Sequence, residues 1–348
     1  ALEECRLCRQ NQSRIKLSKS RVIDMNLQDW LGRTETVNDI ATATPYAALS
    51  ATLDWPAGDG PQRPPAGTPL PYLWHWLYFL PIAPESEIGD DGHPKRGGFL
   101  PPVPLPRRMW AGSDFVWSEP LLVGDALART STIVDVKEKS GRTGSLIFVK
   151  VRHDIRRNGA QSVALTEHHN IVYRPAPSPD DVAPPPQAAP AQWAWQRNIV
   201  PDDVLLFRYS ALTFNGHRIH YDRKYVTEVE GYPGLIVHGP LIATCLVDLV
   251  RRHTTRPIRS FAFKALRPTF ECSDQRIMRV CGEPDANGTT VRLDPLAPPA
   301  RQPDPARYNE AAHRGQALHI ADARAAQRER ASEAQRRLSV SKTRWAEP

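Results

Sequence analysis

The sequence predicts an α+β protein in which two curved antiparallel sheets are each wrapped round a central apolar helix. Three observations carry that expectation. Strand-like segments at 113–117, 126–138, 144–155 and 162–173 follow one another with only turn residues between them. Strands that succeed each other without crossover helices make antiparallel sheets. The stretch 240–252 is apolar on nearly every side, as a buried helix must be. Finally, an apolar aromatic segment, Leu70–Leu80, precedes the first strand set as 240–252 precedes a second set.

Taken in order, residues 1–24 are polar and basic without a period and read as an extension, disordered or foreign to the fold. Residues 25–174 form the first sheet-and-helix unit. Within it 34–51 passes from polar residues into a short helical pattern. LPYLWHWLYFL at 70–80, bounded by prolines, is expected to be the buried helix, with His75 a hydrogen-bonded core histidine. Residues 84–114 are rich in Gly and Pro, and a loop this long is usually functional or mobile. There Arg107 and Arg108 read as a solvated pair before they read as a phosphate contact. Residues 175–195 are a Pro/Ala-rich linker. Residues 196–293 form the second unit, with strands expected at 260–265, 268–272, 276–281 and 289–293. RPTFECSD around Pro268 echoes EPLLVGD around Pro120, a weak internal repeat. Residues 294–348 are Pro-rich, then rich in Ala, Arg, Gln and Glu, and are expected to form a low-order tail.

The net charge of +7 sits in the ends. Three surplus positive charges fall in 1–24 and three in 294–348, leaving one over 25–293. A near-neutral body gives little support to a nucleic-acid partner. Five cysteines, with Cys5 and Cys8 a lone C-x-x-C, do not make a zinc framework and fit structural thiols in a reducing compartment. No apolar run is long enough to span a bilayer, and the cytoplasm is the default expectation. No metal, no nucleic acid and no membrane partner are expected.

The chemistry concentrates in FRYSALTFNGHRIHYDRKYVTEVEGYPGLIVHGPLIATCLVDLVRR, 207–252. Asn215, His217, Arg218, His220 and Asp222 crowd into a few positions. A helix then starts at Gly239-Pro240, and Pro suits the first helical turn. Histidine moves protons near neutral pH. A backbone N–H at a helix N-terminus can hold a developing oxyanion. Each group also has a structural alternative: His220 as a buried histidine, Asn215 as a turn residue before Gly216, Gly239 as a cap. His217 and His238 read as structural before they read as substrate contacts, and Arg218 meets either a substrate or Asp222.

FNGHRIHYD followed by YPGLIVHGPL resembles the MaoC-like, hot-dog-fold hydratases and dehydratases acting on thioesters. Within them the chain is most similar to the two-hot-dog group of mesaconyl-C4-CoA hydratase, itaconyl-CoA hydratase and type 2 3-hydroxyacyl-thioester dehydratases. The resemblance spans about Leu27 to Leu293 and implies a double hot-dog. It implies a hydro-lyase acting on an α,β-unsaturated acyl-CoA, at best a short branched dicarboxyl-CoA giving citramalyl-CoA. A 3-hydroxyacyl-thioester dehydratase of fatty-acid metabolism and a non-catalytic acyl-CoA-binding module are the alternatives. CoA belongs to the substrate, so no cofactor is implied, and a chain that mimics a hot-dog dimer internally leaves a homodimer open. The family's motif has an Asp and, five positions on, a His; these fall on Asn215 and His220, and the carbonyl-binding amide falls on Gly239. Since an amide cannot accept the proton, the resemblance implies His220 as proton-transfer residue with Asn215 positioning water. No such spacing occurs around 34–38, where the first half's counterpart is expected, which implies one site per chain.

Overall fold

The computed structural model describes residues 26–55, 63–141, 144–175, 192–265, 268–271, 278–296 and the backbone of 316–320. Among the described residues ten antiparallel strands form one continuous sheet. The first half supplies β1 (Thr34–Ile40), β2 (Arg107–Trp117), β3 (Ala126–Gly141), β4 (Gly144–Arg157) and β5 (Leu165–Arg174). The second supplies β6 (Trp195–Ile199), β7 (Ile258–Lys264), β8 (Met278–Pro284), β9 (Thr290–Leu296) and β10 (Gln316–Ile320). Their order across the sheet is β1-β3-β4-β5-β2-β7-β10-β9-β8-β6. Read outward from the β2–β7 seam, the two halves have the same order, so the seam relates two copies of one topology. This is the double hot-dog arrangement the sequence led us to expect.

Alternation sets the register of the first half. In β5 the pattern of Leu165, Glu167, Ile171 and Tyr173 turned inward leaves their neighbours more exposed, as a strand's two-residue period requires. Pairs such as Ser131↔His153 and His153↔Glu167 then place polar side chains in one row across the sheet.

The second half wraps α3 (Gly239–His253), in which all residues from Leu241 to Val250 are buried. Leu246, Leu249 and Val250 sit in one cluster with Val280, Val291 and Leu293 of β8 and β9. Burying an aliphatic side chain is worth about 1.5–3 kcal/mol, so this helix dominates that half's core. Arg251 and Arg252 close its last turn, where the dipole favours cations.

The first half departs from the expectation. Leu70–Leu80 is buried but is not an α-helix; only Trp74–Leu77 makes a 3-10 turn. Pro69 and Pro81 bracket the segment, Pro71 lies inside it, and Leu73 and Phe79 take positive φ values of 70° and 56°. Trp, His, Tyr and Phe are poor helix formers, and packing of their rings replaces helical hydrogen bonds. Trp74 is 1% exposed and meets Tyr46 edge-on at 4.9 Å. The first half's α-helix is instead α1 (Ala43–Thr52), matched in the second by α2 (Asp203–Leu212).

The faint repeat has a structural counterpart. Residues 121–123 bond to the chain just ahead of 70–80: Leu70 N donates to Leu121 O at 2.7 Å and Val123 N to Thr68 O at 2.8 Å. Residues 269–271 do the same ahead of α3, where Val237 N donates to Thr269 O and Glu271 N to Leu235 O. Expected as a strand, 268–272 is in its described part a single bridge, Ile236↔Phe270. The tail also needs correcting. Residues 316–320 form β10, paired with β7 and β9, which fills the place that β5 holds in the first half. The extension 1–24, the linker at 176–191, Cys5, Cys8 and Cys272 lie outside the described residues; Cys245 and Cys281 are buried free thiols. Among the described residues no helix is long and apolar enough to cross a membrane.

Candidate active site

The site is built where α2 ends. Asp202 caps α2, its side chain accepting from Leu205 N. At the other end Phe214 takes φ of 49°, and Asn215 N donates back to Ser210 O at 2.8 Å. Asn215 Oδ1 accepts the His217 N–H at 3.0 Å, the local turn this residue favours. One 3-10 turn, Arg218–His220, follows.

His220 is 8% exposed. Its Nδ1 lies 2.7 Å from Ile236 O. A carbonyl can only accept, so Nδ1 carries the hydrogen and Nε2 is left as a base. Burial pushes the His220 pKa down to about 4, against the hydrogen bond to Ile236, with His93 adding to the depression. The ring is neutral at pH 7. Ile236 N also donates to Ile219 O at 3.0 Å, so the two halves of the motif lie side by side.

Two residues further on, His238 stacks on His220 with ring centroids 3.8 Å apart and planes 18° from parallel. His238 is fully buried, and Nε2 meets Ser210 Oγ at 2.8 Å. It backs the His220 ring and does not reach solvent. α3 then starts at Gly239, whose N–H, at the first helical position, has no intrahelical acceptor.

The first half contributes more than sequence reasoning gave it. Trp110 lies over Gly239: a Cβ built there would stand 2.7 Å from Trp110 Cε3. A bulge between Trp110 and Gly112 aims the indole. Trp110 stacks on Phe263 at 5.1 Å and 7°, meets Trp76 edge-on at 5.8 Å, and donates Nε1–H to Ser113 Oγ at 3.0 Å. Ser113 passes the chain to Glu167 at 2.7 Å, and Glu167 also holds His75, Trp76 and His169 at 3.1–3.2 Å. His75 is thus the hydrogen-bonded core histidine expected. Burial opposes the charge on Glu167, but the hydrogen bonds from His169 and His75 outweigh it and hold its carboxyl well below the usual range.

The loop at 88–94 docks onto the Asn215 turn. A Cβ on Gly92 would fall 1.8 Å from Gly216 O, so this approach requires glycine. Arg218 N donates to Asp91 O at 2.9 Å and Arg218 Nη1 to Asp90 O at 3.0 Å. The Arg218 guanidinium also pairs with Asp222 at 2.7 Å and lies 4.1 Å over Tyr225. His217, half-buried, stands between His93 at 4.0 Å and His220 at 5.4 Å; burial lowers its pKa to about 2. Asp91, His93 and His217 could bring ligand atoms within 4.8 Å of one another round a metal ion, although Asp91 Oδ2 is already bonded to His93 Nδ1 at 3.0 Å. A cleft of about 230 Å³ opens here, lined by Gly89, Asp91, His93, Lys95, Arg96 and Arg108. The expected solvated pair is therefore divided: Arg108 lines the cleft, and Arg107 binds Glu230 and the Tyr232 hydroxyl. Residues 34–38, where the first half's counterpart of the motif was expected, lie in β1, whereas the motif itself follows α2. The signal that could have found Asp91 and His93 was the DDGHP run in a long loop.

A family model described as hydroxyacyl-thioester dehydratase type 2 matches residues 73–271. The chain is 45% identical over 269 residues to a mesaconyl-C(4)-CoA hydratase of Chloroflexus aurantiacus, covering 77% of this chain and 92% of that protein. It is 25% identical over 254 residues to the mitochondrial hydroxyacyl-thioester dehydratase type 2 of Schizosaccharomyces pombe, covering 64% of this chain and 82% of the relative. A solved MaoC-like dehydratase from Phytophthora capsici superposes with a TM-score of 0.58 at 12% identity, over 86% of this chain and 99% of that one; this likeness concerns the fold.

Proposed function

The chain belongs to the hydroxyacyl-thioester dehydratase type 2 family of MaoC-like double hot-dog proteins, and from that premise we propose that it is a hydro-lyase adding water across the double bond of a short, branched dicarboxyl-CoA. Mesaconyl-C4-CoA is the first candidate and itaconyl-CoA the second, each giving citramalyl-CoA. The observation that carries this reading is the 3.8 Å stack of His220 on His238. It sets a neutral imidazole beside the start of a buried helix, so a base and an oxyanion donor serve one small substrate.

Attack by water at Cβ pushes charge onto the thioester oxygen. The Gly239 N–H, aligned with the helix dipole, is fixed before that charge arrives, and one such donor is worth about 10²–10³ in rate. His220 Nε2 takes the water proton, a contribution of about 10²–10⁴. With Oδ1 engaged by His217 N–H, Asn215 has its amide NH₂ left to orient the water. CoA is part of the substrate, so the reaction needs no separate cofactor. The Trp110–Trp76–Phe263 wall at Gly239 supports a short acyl group, as does the 45% identity to the mesaconyl-C(4)-CoA hydratase. The family match supports a second reading, dehydration of 3-hydroxyacyl thioesters with longer chains.

Hydration of mesaconyl-C4-CoA, itaconyl-CoA, crotonyl-CoA and a long-chain enoyl-CoA by wild type and His220→Ala tests both. We expect kcat/KM to be highest for a dicarboxyl-CoA and to fall by at least about 100-fold in the variant. A preference for the long chain would favour the second reading, and equal activity in the two proteins would remove His220 from the mechanism.

A further inference from the structure

The Asn215 amide cannot serve as a proton acid or base, and its Oδ1 already accepts the His217 N–H; yet hydration needs two proton transfers, one from water and one to Cα. The half that lacks the motif supplies a titratable pair at this turn. Asp91 Oδ1 accepts His93 N–H at 2.9 Å and Asp91 Oδ2 accepts Nδ1–H at 3.0 Å. A carboxylate held to a ring nitrogen fixes both tautomer and orientation, as in other acid–base pairs. It leaves Nε2 free of Asp91. His93 is neither loose nor entombed: its side chain is 23% exposed, and it lines the cleft.

We propose that His93, oriented by Asp91, is a second proton-transfer residue of this site, exchanging the proton at the substrate's Cα in place of the carboxylate that Asn215 lacks. This rests on the hydratase reading above. The site is then shared between the halves, with His220 from the second and His93 from the first. The two are joined in space by the His217 ring, 4.0 Å from one and 5.4 Å from the other. The double-glycine contact of Gly92 with Gly216 and the Arg218 N–H bond to Asp91 O fix the loop to the motif.

In hydration, the water oxygen bonds to Cβ while His220 Nε2 takes a water proton. The π pair of the double bond moves to Cα and onto the thioester oxygen at the Gly239 N–H. Cα then takes a proton from protonated His93, and the enolate returns its charge to the new C–H bond. His220 has gained one proton and His93 has lost one, and exchange with solvent resets both. In dehydration His93 acts as the base that removes the Cα proton, and His220 protonates the departing hydroxyl. Asp91 is the fixed counter-charge: burial works against its ionisation, but the hydrogen bonds from His93 hold its carboxyl well below the usual range. Burial, with Arg108 and Arg96 nearby, lowers the His93 pKa against the pull of Asp91, and His217 and His220 are the remaining titratable groups facing it. Asp91 is a positioning residue, since it acts through the imidazole.

The test uses the full chain and the acyl-CoA that wild type hydrates best. His93→Gln is expected to lower kcat by about 10²-fold with KM within about threefold, and Asp91→Asn to lower kcat by about tenfold. In D₂O the release of the product's Cα proton, measured by mass spectrometry, should slow in step with kcat. Free imidazole should restore part of the activity of His93→Gly, which a packing role would not allow. Unchanged kcat in His93→Gln, a change confined to KM, or no rescue of natively folded His93→Gly would overturn the proposal. So would loss of wild-type activity to a chelator with recovery on adding zinc, which would assign Asp91, His93 and His217 to a metal. A wild type inactive on every acyl-CoA defeats the hydratase reading itself, whereas an active wild type with an equally active His93→Gln defeats only this assignment.

Discussion

Replacing Gly239 with alanine probes the contact on which the oxyanion donor depends. The added Cβ would stand 2.7 Å from Trp110 Cε3 and 2.8 Å from Cζ3, roughly 1 Å inside the usual carbon–carbon separation of about 3.5–4.0 Å. The indole has little room to retreat, because its face is against Phe263 and its Nε1–H is bonded to Ser113. Either the indole leaves its stack or the first turn of α3 moves. Overpacking of this kind costs about 1–3 kcal/mol of stability. A displaced oxyanion donor costs about 10²–10³ in kcat. We expect Gly239→Ala to lose about 100-fold in kcat and several degrees in Tm. Steady-state hydration kinetics and calorimetry on Gly239→Ala, Trp110→Leu and the double variant close a double-mutant cycle. If the clash is the cause, Gly239→Ala made in the Trp110→Leu background should cost at least about tenfold less than it does in wild type, a coupling of about 1.4 kcal/mol. A single variant within threefold of wild type, or a cycle without coupling, would refute the geometry.

Two further predictions concern the frame. His153 and His220 have folded-state pKa values lowered by burial to about 3 and about 4, from an ordinary 6.5. The unfolded chain therefore binds more protons between about pH 4 and 6.5, and stability falls on acidification through that window. Each group should cost about 1 kcal/mol between pH 6.5 and 5.5, seen as a falling Tm; a Tm constant or rising over that unit would contradict it. Leu318→Pro should destabilise the chain by at least about 1–3 kcal/mol, read from the denaturation midpoint. β10 lies between β7 and β9, where each N–H bonds one neighbour or the other and proline removes a donor. An unchanged midpoint would take residues 316–320 out of the sheet.

The strands of the first half were legible in the sequence because a half-buried strand must alternate, and its turns carry Gly, Asn and Pro. β3 begins at Ala126 as expected and β4 at Gly144. The helix after His238 was legible because it is apolar all round. Leu70–Leu80 misled for the same reason: apolar density marks burial, and burial alone does not choose between a helix and a ring-packed irregular segment. β10 was missed because 316–320 is a short run within a long polar tail, and a central strand there is defined by the two edges it joins.

The sequence by itself determined the kind of fold, its duplication, and the motif in which His220 and Gly239 stand nineteen positions apart, because periodicity, helix-start chemistry and residue type are local properties. Only the tertiary structure decided that Trp110 walls the amide and that Asp91 and His93 face the turn where Asn215 stands. The contacts of Trp110 with Gly239 and of His93 with His217 join residues more than a hundred positions apart. They exist because two halves of one sheet meet at the β2–β7 seam, and no local pattern encodes which loop a seam will bring to a distant turn.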